Sequence, residues 1–306
     1  MTNFKRRTLT ATIFGAVMLG GMFWNEASFY VLFFLISMGC LWEFLRLIKE
    51  ESTLRKVFAL ILGSSMWLTS ICLRIVSVQG ATLALGLGWQ LIAYKIVLLP
   101  IILFVISPFL LLLFELFFLQ SEKPFINVGL LLLGIMYAVF PFVVFLPFLE
   151  FHGRPTLPFG YFFYEFFTAI RTLEFTPNIV AGILFLTWAN DSFAYIIGSR
   201  IGKTLLFERI SPKKTWEGTI GGGIMCILTG IVIHQFLGIL TLVDWLVIGG
   251  IVATFGSMGD LVESMFKRSV GVKDSGTFMP GHGGFLDRFD AFIFAVPFVF
   301  LYLMLK

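Results

Sequence analysis

Charged side chains are scarce in this chain: Asp, Glu, Lys and Arg make up 13% of its 306 residues. Soluble domains carry about a quarter. With 58% hydrophobic residues and a mean hydropathy of +0.95, that scarcity excludes a soluble globular protein. Cysteine is sparse too. Cys40, Cys72 and Cys226 each fall inside an apolar stretch. They have neither metal-ligand spacing nor the look of a disulfide framework, and they read as small buried hydrophobes. The apolar runs lack a period of two, which argues against a β-barrel. No repeat of fixed period is present, and no nucleic-acid partner is expected.

What the chain has instead is a succession of long apolar runs, rich in its 38 phenylalanines. Runs of this length span a bilayer as helices, so the fold class is all-α: a polytopic integral membrane helical bundle. The pattern predicts about nine transmembrane helices, near 8–24, 27–47, 57–77, 96–119, 126–149, 178–198, 219–240, 243–263 and 285–305. The apolar stretch 81–95 reads as re-entrant, interfacial or an early start to the fourth span. Pro100, Pro108, Pro141 and Pro147 predict kinks in the first half. Lys5-Arg6-Arg7 before the first run fits a signal peptide or a first span. A second span follows almost at once without a clear small-residue cleavage site, so an uncleaved span is expected.

Placing the N-terminus in the cytoplasm puts 17 of the 22 Lys and Arg residues on the cytoplasmic side. That bias follows the positive-inside rule. It also puts the two richest polar loops, 199–218 and 264–284, on one face. The outer loop 150–177 reads as an interfacial cap. Two regions result: membrane helices with that loop over 1–177, and a C-terminal membrane region over 178–306 that holds both polar loops.

The densest cluster of charge and glycine runs from Ser264 to Asp290, SMFKRSVGVKDSGTFMPGHGGFLDRFD. Charge beside a span is costly and usually has a task. Carboxylates bind hard cations, Lys and Arg bind phosphate, and glycine lets backbone approach a ligand. Asp260, Glu263, Ser264 and Lys267 share one helical face; a snorkelling helix end is the plainer alternative. Pro280-Gly281-His282-Gly283-Gly284 predicts a tight turn whose amides suit an anion. His282 reads as structural there, since histidine suits magnesium poorly. Asp287 and Asp290 fall on one face at the start of the last span, with Arg288 between them. Acids at a helix N-terminus also gain from its dipole, but Asp260, Asp274, Asp287 and Asp290 near one membrane surface would repel unless cations hold them.

Two outlying segments add to this. Asp191 interrupts an apolar span at a cost of about 2.5–3.5 kcal/mol. It should face a polar cavity or a cation, or else make an interhelical hydrogen bond. Ser211-Pro212-Lys213-Lys214-Thr215-Trp216-Glu217-Gly218 reads as a helix start, with Ser211 as cap and Pro212 in the first turn. Its lysines oppose the helix dipole and make sense beside an anion; a positive-inside anchor explains them equally well. Gly198 to Thr204 is one residue short of a P-loop and follows an apolar helix, so it is not read as one.

Taken together, Ser264-x-Phe266-Lys267-Arg268, Lys273-Asp274, Pro280-Gly281-His282-Gly283-Gly284 and Asp287-Arg288-x-Asp290 resemble the signature of the phosphatidate cytidylyltransferases (CDP-diacylglycerol synthases). No charged or glycine position breaks the pattern. Asp191-x-x-Ala194-Tyr195-x-x-Gly198 and the Ser211–Gly218 segment resemble the same family, so the likeness covers about residues 188–290. It implies the reaction of CTP with phosphatidate to give CDP-diacylglycerol and pyrophosphate, with magnesium required. The family's paired metal acids match Asp260 and Asp287, to which Asp274 and Asp290 are added. Lys267, Arg268, Lys273 and His282 complete the expected catalytic set. Asp191, Lys213, Lys214, Thr215, Glu217 and Arg288 are expected on the nucleotide. The resemblance also implies a lipid bilayer setting, a site on the cytoplasmic face of the cell membrane, and compatibility with a homodimer. Two other readings compete: a CTP-dependent lipid kinase of the polyprenol type, and a transporter of anions or phospholipids.

Overall fold

The structure is a computed structural model that describes residues 3–82, 102, 105–119, 121–144, 177–278 and 283–306. The expected segment 81–95 falls almost wholly outside these residues. So do nearly all of the outer loop 150–177, and Pro280, Gly281 and His282.

Nine helices follow one another among the described residues: α1 (Asn3–Phe23), α2 (Glu26–Leu47), α3 (Thr53–Thr82), α4 (Val105–Leu119), α5 (Pro124–Val144), α6 (Asn178–Ile201), α7 (Trp216–Leu237), α8 (Leu242–Ser269) and α9 (Leu286–Leu305). Seven stretches are long and apolar enough to cross a membrane, α2, Thr53–Cys72 of α3, and α5 to α9. The apolar part of α1, Thr8–Phe23, and α4 are shorter; they fall where the first and fourth spans were expected. The chain is thus an all-α polytopic membrane protein. Helices prevail because a backbone within lipid must satisfy its own hydrogen bonds.

Local chemistry sets the helix ends. Asn25 caps α2 by accepting from the Ser28 amide at 2.7 Å, and the Ser28 hydroxyl oxygen accepts from the Asn25 amide in return. Thr241 and Asp244 form the same reciprocal box at the start of α8. Helix α5 is interrupted at Val139, two residues before Pro141, whose missing N–H cannot continue the ladder. Helix α8 contains a π turn over Val252–Gly256. Such a turn inserts an extra residue and re-aims all that follows, here the face bearing Asp260 and Glu263.

Close helix packing rests on small residues. On α7, Gly218, Gly222, Cys226 and Gly230 recur every fourth position, and all are buried. A Cβ on Gly222 would stand 2.7 Å from Ala194 Cβ and 2.8 Å from the Asn190 carbonyl of α6. Small residues let backbones approach where burial gives no hydrophobic drive. Cys40 and Cys226 are buried free thiols, as expected of small core residues.

The one departure in kind lies between α6 and α7. Strands β1 (Leu205–Phe207) and β2 (Ser211–Thr215) form an antiparallel hairpin, the only sheet among the described residues. Ser211 and Pro212 therefore do not start a helix. The cap of α7 is Thr215, whose side chain accepts from the Gly218 amide at 3.2 Å. Pairing of Leu205 with Thr215 outcompetes the local Ser-Pro signal.

Candidate active site

The C-terminal ends of α2, α6 and α8 meet the N-termini of α7 and α9 at one end of the bundle. Charged side chains gather there in two adjoining groups.

The inner group is buried. Lys267 Nζ lies 2.5 Å from Glu263 Oε2, one turn away on α8, and 2.5 Å from Asp287 Oδ1 at the start of α9. Asp287 Oδ2 accepts from the amides of Ser275 (2.9 Å) and Gly284 (2.8 Å), and it lies 2.9 Å from the Ser275 hydroxyl, whose one proton it shares with Glu43. Gly283 has φ +86, and a Cβ there would collide with Asp287 Oδ2; glycine meets both demands. Glu43 of α2, which the sequence did not mark, completes the group. Its Oε2 accepts from the Ser275 hydroxyl at 2.8 Å and the Leu286 amide at 3.0 Å.

The second group is more open. Lys214, at the end of the hairpin, pairs with Asp260 of α8 at 2.5 Å, both side chains being nearly 30% exposed. Asp191 of α6 lies within electrostatic reach of Asp260, Lys214 and Arg288. Buried Asp290 feels Asp260, Glu263 and Asp191. Its single hydrogen-bond donor among the described residues is the amide of its own neighbour Ala291, at 2.7 Å. A Cβ on Gly259 would stand 2.6 Å from the Asp290 carbonyl, so α8 and α9 touch just where Asp260 and Asp290 leave them. Beside Asp191, buried Asn190 donates to Ser257 Oγ at 3.2 Å, and its own Oδ1 has no partner among the described residues.

Of the residues singled out in the sequence, Lys214 meets Asp260 and Lys267 meets Asp287, while Asp191 and Asp290 lie within electrostatic reach of Asp260. Arg288 is exposed alongside them. Lys213, Lys273 and Asp274 are exposed on the adjoining segments, as is Arg268, which donates to the Val272 carbonyl at 3.3 Å. Thr215 and Glu217 hold backbone: Thr215 caps α7, and Glu217 accepts from the amides of Lys203 and Thr204 at 3.1 Å each, closing the hairpin onto its helix.

Among the described residues, no three Asp, Glu, His or Cys side chains converge as a ready metal cage. The donor set still fits a magnesium ion. It is all oxygen, and magnesium is usually held by one or two carboxylates, with phosphate and water filling its octahedron. Among the described residues, Asp290 accepts one hydrogen bond, Asp260 pairs with an exchangeable lysine, and Asp287 Oδ1 has Lys267 as its one partner, which leaves it a lone pair.

At the opposite end of the bundle, Asp244 at the start of α8 binds Tyr302 Oη at 2.9 Å and pairs with Lys306. Helices α8 and α9 therefore run antiparallel, clasped at both ends.

Fold and site together define a helical membrane protein whose acids and lysines converge at one end of the bundle. The sequence profile of the Cytidylyltransferase family matches residues 5–306, and the chain belongs to that family. It is 41% identical over 145 residues to the phosphatidate cytidylyltransferase of Bacillus subtilis, covering 46% of this chain and 54% of that protein. It is 48% identical over 114 residues to that of Staphylococcus epidermidis and 50% identical to that of Staphylococcus haemolyticus, each covering 37% of this chain and 44% of the relative. The chain thus spans about half the length of the curated relatives it matches.

Proposed function

We propose that this protein is a phosphatidate cytidylyltransferase, joining CTP and phosphatidate into CDP-diacylglycerol with release of pyrophosphate. The observation that carries the reading is the meeting of Lys214, Asp260, Asp290 and Asp191 beside the buried Glu263–Lys267–Asp287 pairings, at one end of the bundle. Family membership and the names of the relatives support it.

The reaction brings two anions together. A phosphate oxygen of phosphatidate forms a bond to the α-phosphorus of CTP, and the bond from that phosphorus to the bridging oxygen of the β-phosphate breaks. The electron pair leaves with pyrophosphate. A phosphomonoester has a second pKa of about 6, so the nucleophile needs no strong base. The protein's work is positioning and charge compensation. Lys214 and Arg288 flank the acids and contact phosphates, while Lys213, Arg268 and Lys273 supply positive charge at the rim. Lys267 serves from beneath, fixing Asp287.

Asp260, Asp290 and the free lone pair of Asp287 Oδ1 would hold magnesium, with exposed Asp274 outside that set; the ion supplies charge neutralisation for the phosphates. The skewed placement of Lys and Arg supports a cytoplasmic site and N-terminus in the cell membrane. A homodimer is the expected assembly, which light scattering in detergent would read.

Purified protein in detergent, given labelled CTP and phosphatidate with and without magnesium, tests the reading. It should form CDP-diacylglycerol only with magnesium. Release of CDP would point to lipid phosphorylation instead, and nucleotide-independent flux in vesicles to transport.

A further inference from the structure

Glu43 is a carboxylate buried to 4% exposure on α2, in the half of the chain that carries no signature residue. No Lys or Arg among the described residues forms an ion pair with it. A buried acid without a cation is costly unless hydrogen bonds hold it, so a helix that merely packs has no use for one. Among the described residues, every polar contact of Glu43 goes to a single segment over 230 residues away. Its Oε2 accepts from the Ser275 hydroxyl at 2.8 Å and the Leu286 amide at 3.0 Å. A Cβ on Gly276 or Gly284 would collide with its carboxylate, so two glycines leave the room it fills. Its neighbours bed the same region. A Cβ on Gly39 would meet the Phe285 ring at 2.6 Å, and Phe44 stacks on Phe266 with centroids 4.9 Å apart.

The link to chemistry passes through one hydroxyl. Ser275 Oγ lies 2.8 Å from Glu43 Oε2 and 2.9 Å from Asp287 Oδ2. The Leu286 amide that Glu43 holds opens α9, immediately before Asp287.

We propose that Glu43 is a positioning residue: it pins both ends of the segment from Ser275 to Leu286, and through Ser275 it fixes the orientation of the Asp287 carboxylate. The catalytic consequence rests on the proposed cytidylyltransferase reading; the pinning does not. The N-terminal helices thereby become part of the working site.

The test uses the full-length protein in detergent with Glu43→Ala, Glu43→Gln, Ser275→Ala and the Glu43→Ala/Ser275→Ala double variant. Loss of such supporting contacts typically costs about 10–100-fold in activity. Each alanine single should lower kcat by that factor with KM for CTP shifted by less than about threefold, the double should be no worse than the worse single, and Glu43→Gln, which keeps one acceptor oxygen and the shape, should recover part of the loss. Amide exchange is the second arm: residues 275 and 286 should exchange at least about tenfold faster in Glu43→Ala, and less so in Glu43→Gln. Multiplicative kinetic losses, or wild-type kcat in Glu43→Ala, would overturn the proposal. Unchanged exchange at 275 and 286 would overturn the pinning. If the unmodified protein makes no CDP-diacylglycerol, the function reading fails, and the exchange arm still decides for or against the pinning.

Discussion

Lys267 and Asp287 form a buried ion pair at 2.5 Å that joins the end of α8 to the start of α9. Lys267 also holds Glu263 at 2.5 Å, so one ammonium serves two acids. A lysine so engaged acts first as a structural keystone. Lys267→Met should destabilise the protein by about 3–5 kcal/mol, the usual effect of leaving buried charges unpaired. Thermal unfolding in detergent reads this; an unchanged midpoint contradicts the keystone role.

Asp260 should behave in the opposite way. Its pair with Lys214 is partly exposed, and such pairs contribute about 0–1 kcal/mol. Asp260→Asn should therefore leave the unfolding midpoint nearly unchanged while lowering turnover by at least about 100-fold, the scale of losing one electrostatic group at a reacting centre. Comparing midpoint and kcat on one preparation separates the two effects.

Gly259 keeps the backbones of α8 and α9 in contact. A Cβ there would meet Phe294 Cβ at 2.5 Å and the Asp290 carbonyl at 2.6 Å. Neither is a flexible tip, so Gly259→Ala must spread the helices that carry Asp260 and Asp290. A cost of about 1–3 kcal/mol is expected from overpacking, with activity falling further than stability alone explains. Equal activity per folded molecule would show that the spacing does not matter.

Lys203 and Lys273 lie in loops at the site's end of the bundle, and Lys306 pairs with Asp244 at the other. With Cys72 replaced by serine, cysteines at 203 and 273 should react with an impermeant maleimide only from the cytoplasmic side, and a cysteine at 306 only from the outside. Labelling of all three from one side would rule out the proposed topology.

The sequence revealed helices well because lipid leaves the backbone little choice, and apolar length is a direct signal. Most of the candidate site was legible for a related reason: Asp191, Asp260, Asp287 and Asp290 stand out against apolar surroundings. The hairpin was not. Ser211-Pro212 has the local chemistry of a helix start, and only pairing with Leu205–Phe207 overrides it. Glu43 was invisible because its partners lie over 230 residues away, and a lone acid near a helix end looks like a solvated one. Its burial is a tertiary fact. The division of labour among the lysines also needed coordinates, which bury Lys267 between Glu263 and Asp287 and leave Lys214 half-open beside Asp260.

The fate of the nucleotide's own phosphorus tests the central claim most directly. CTP labelled with ³²P at the α position should pass its label into lipid extracted from the reaction, and CTP labelled at the γ position should release its label as pyrophosphate, with both transfers lost in Asp260→Asn. Appearance of the γ label in lipid, or undiminished α-label transfer by the Asp260→Asn variant, would contradict the account.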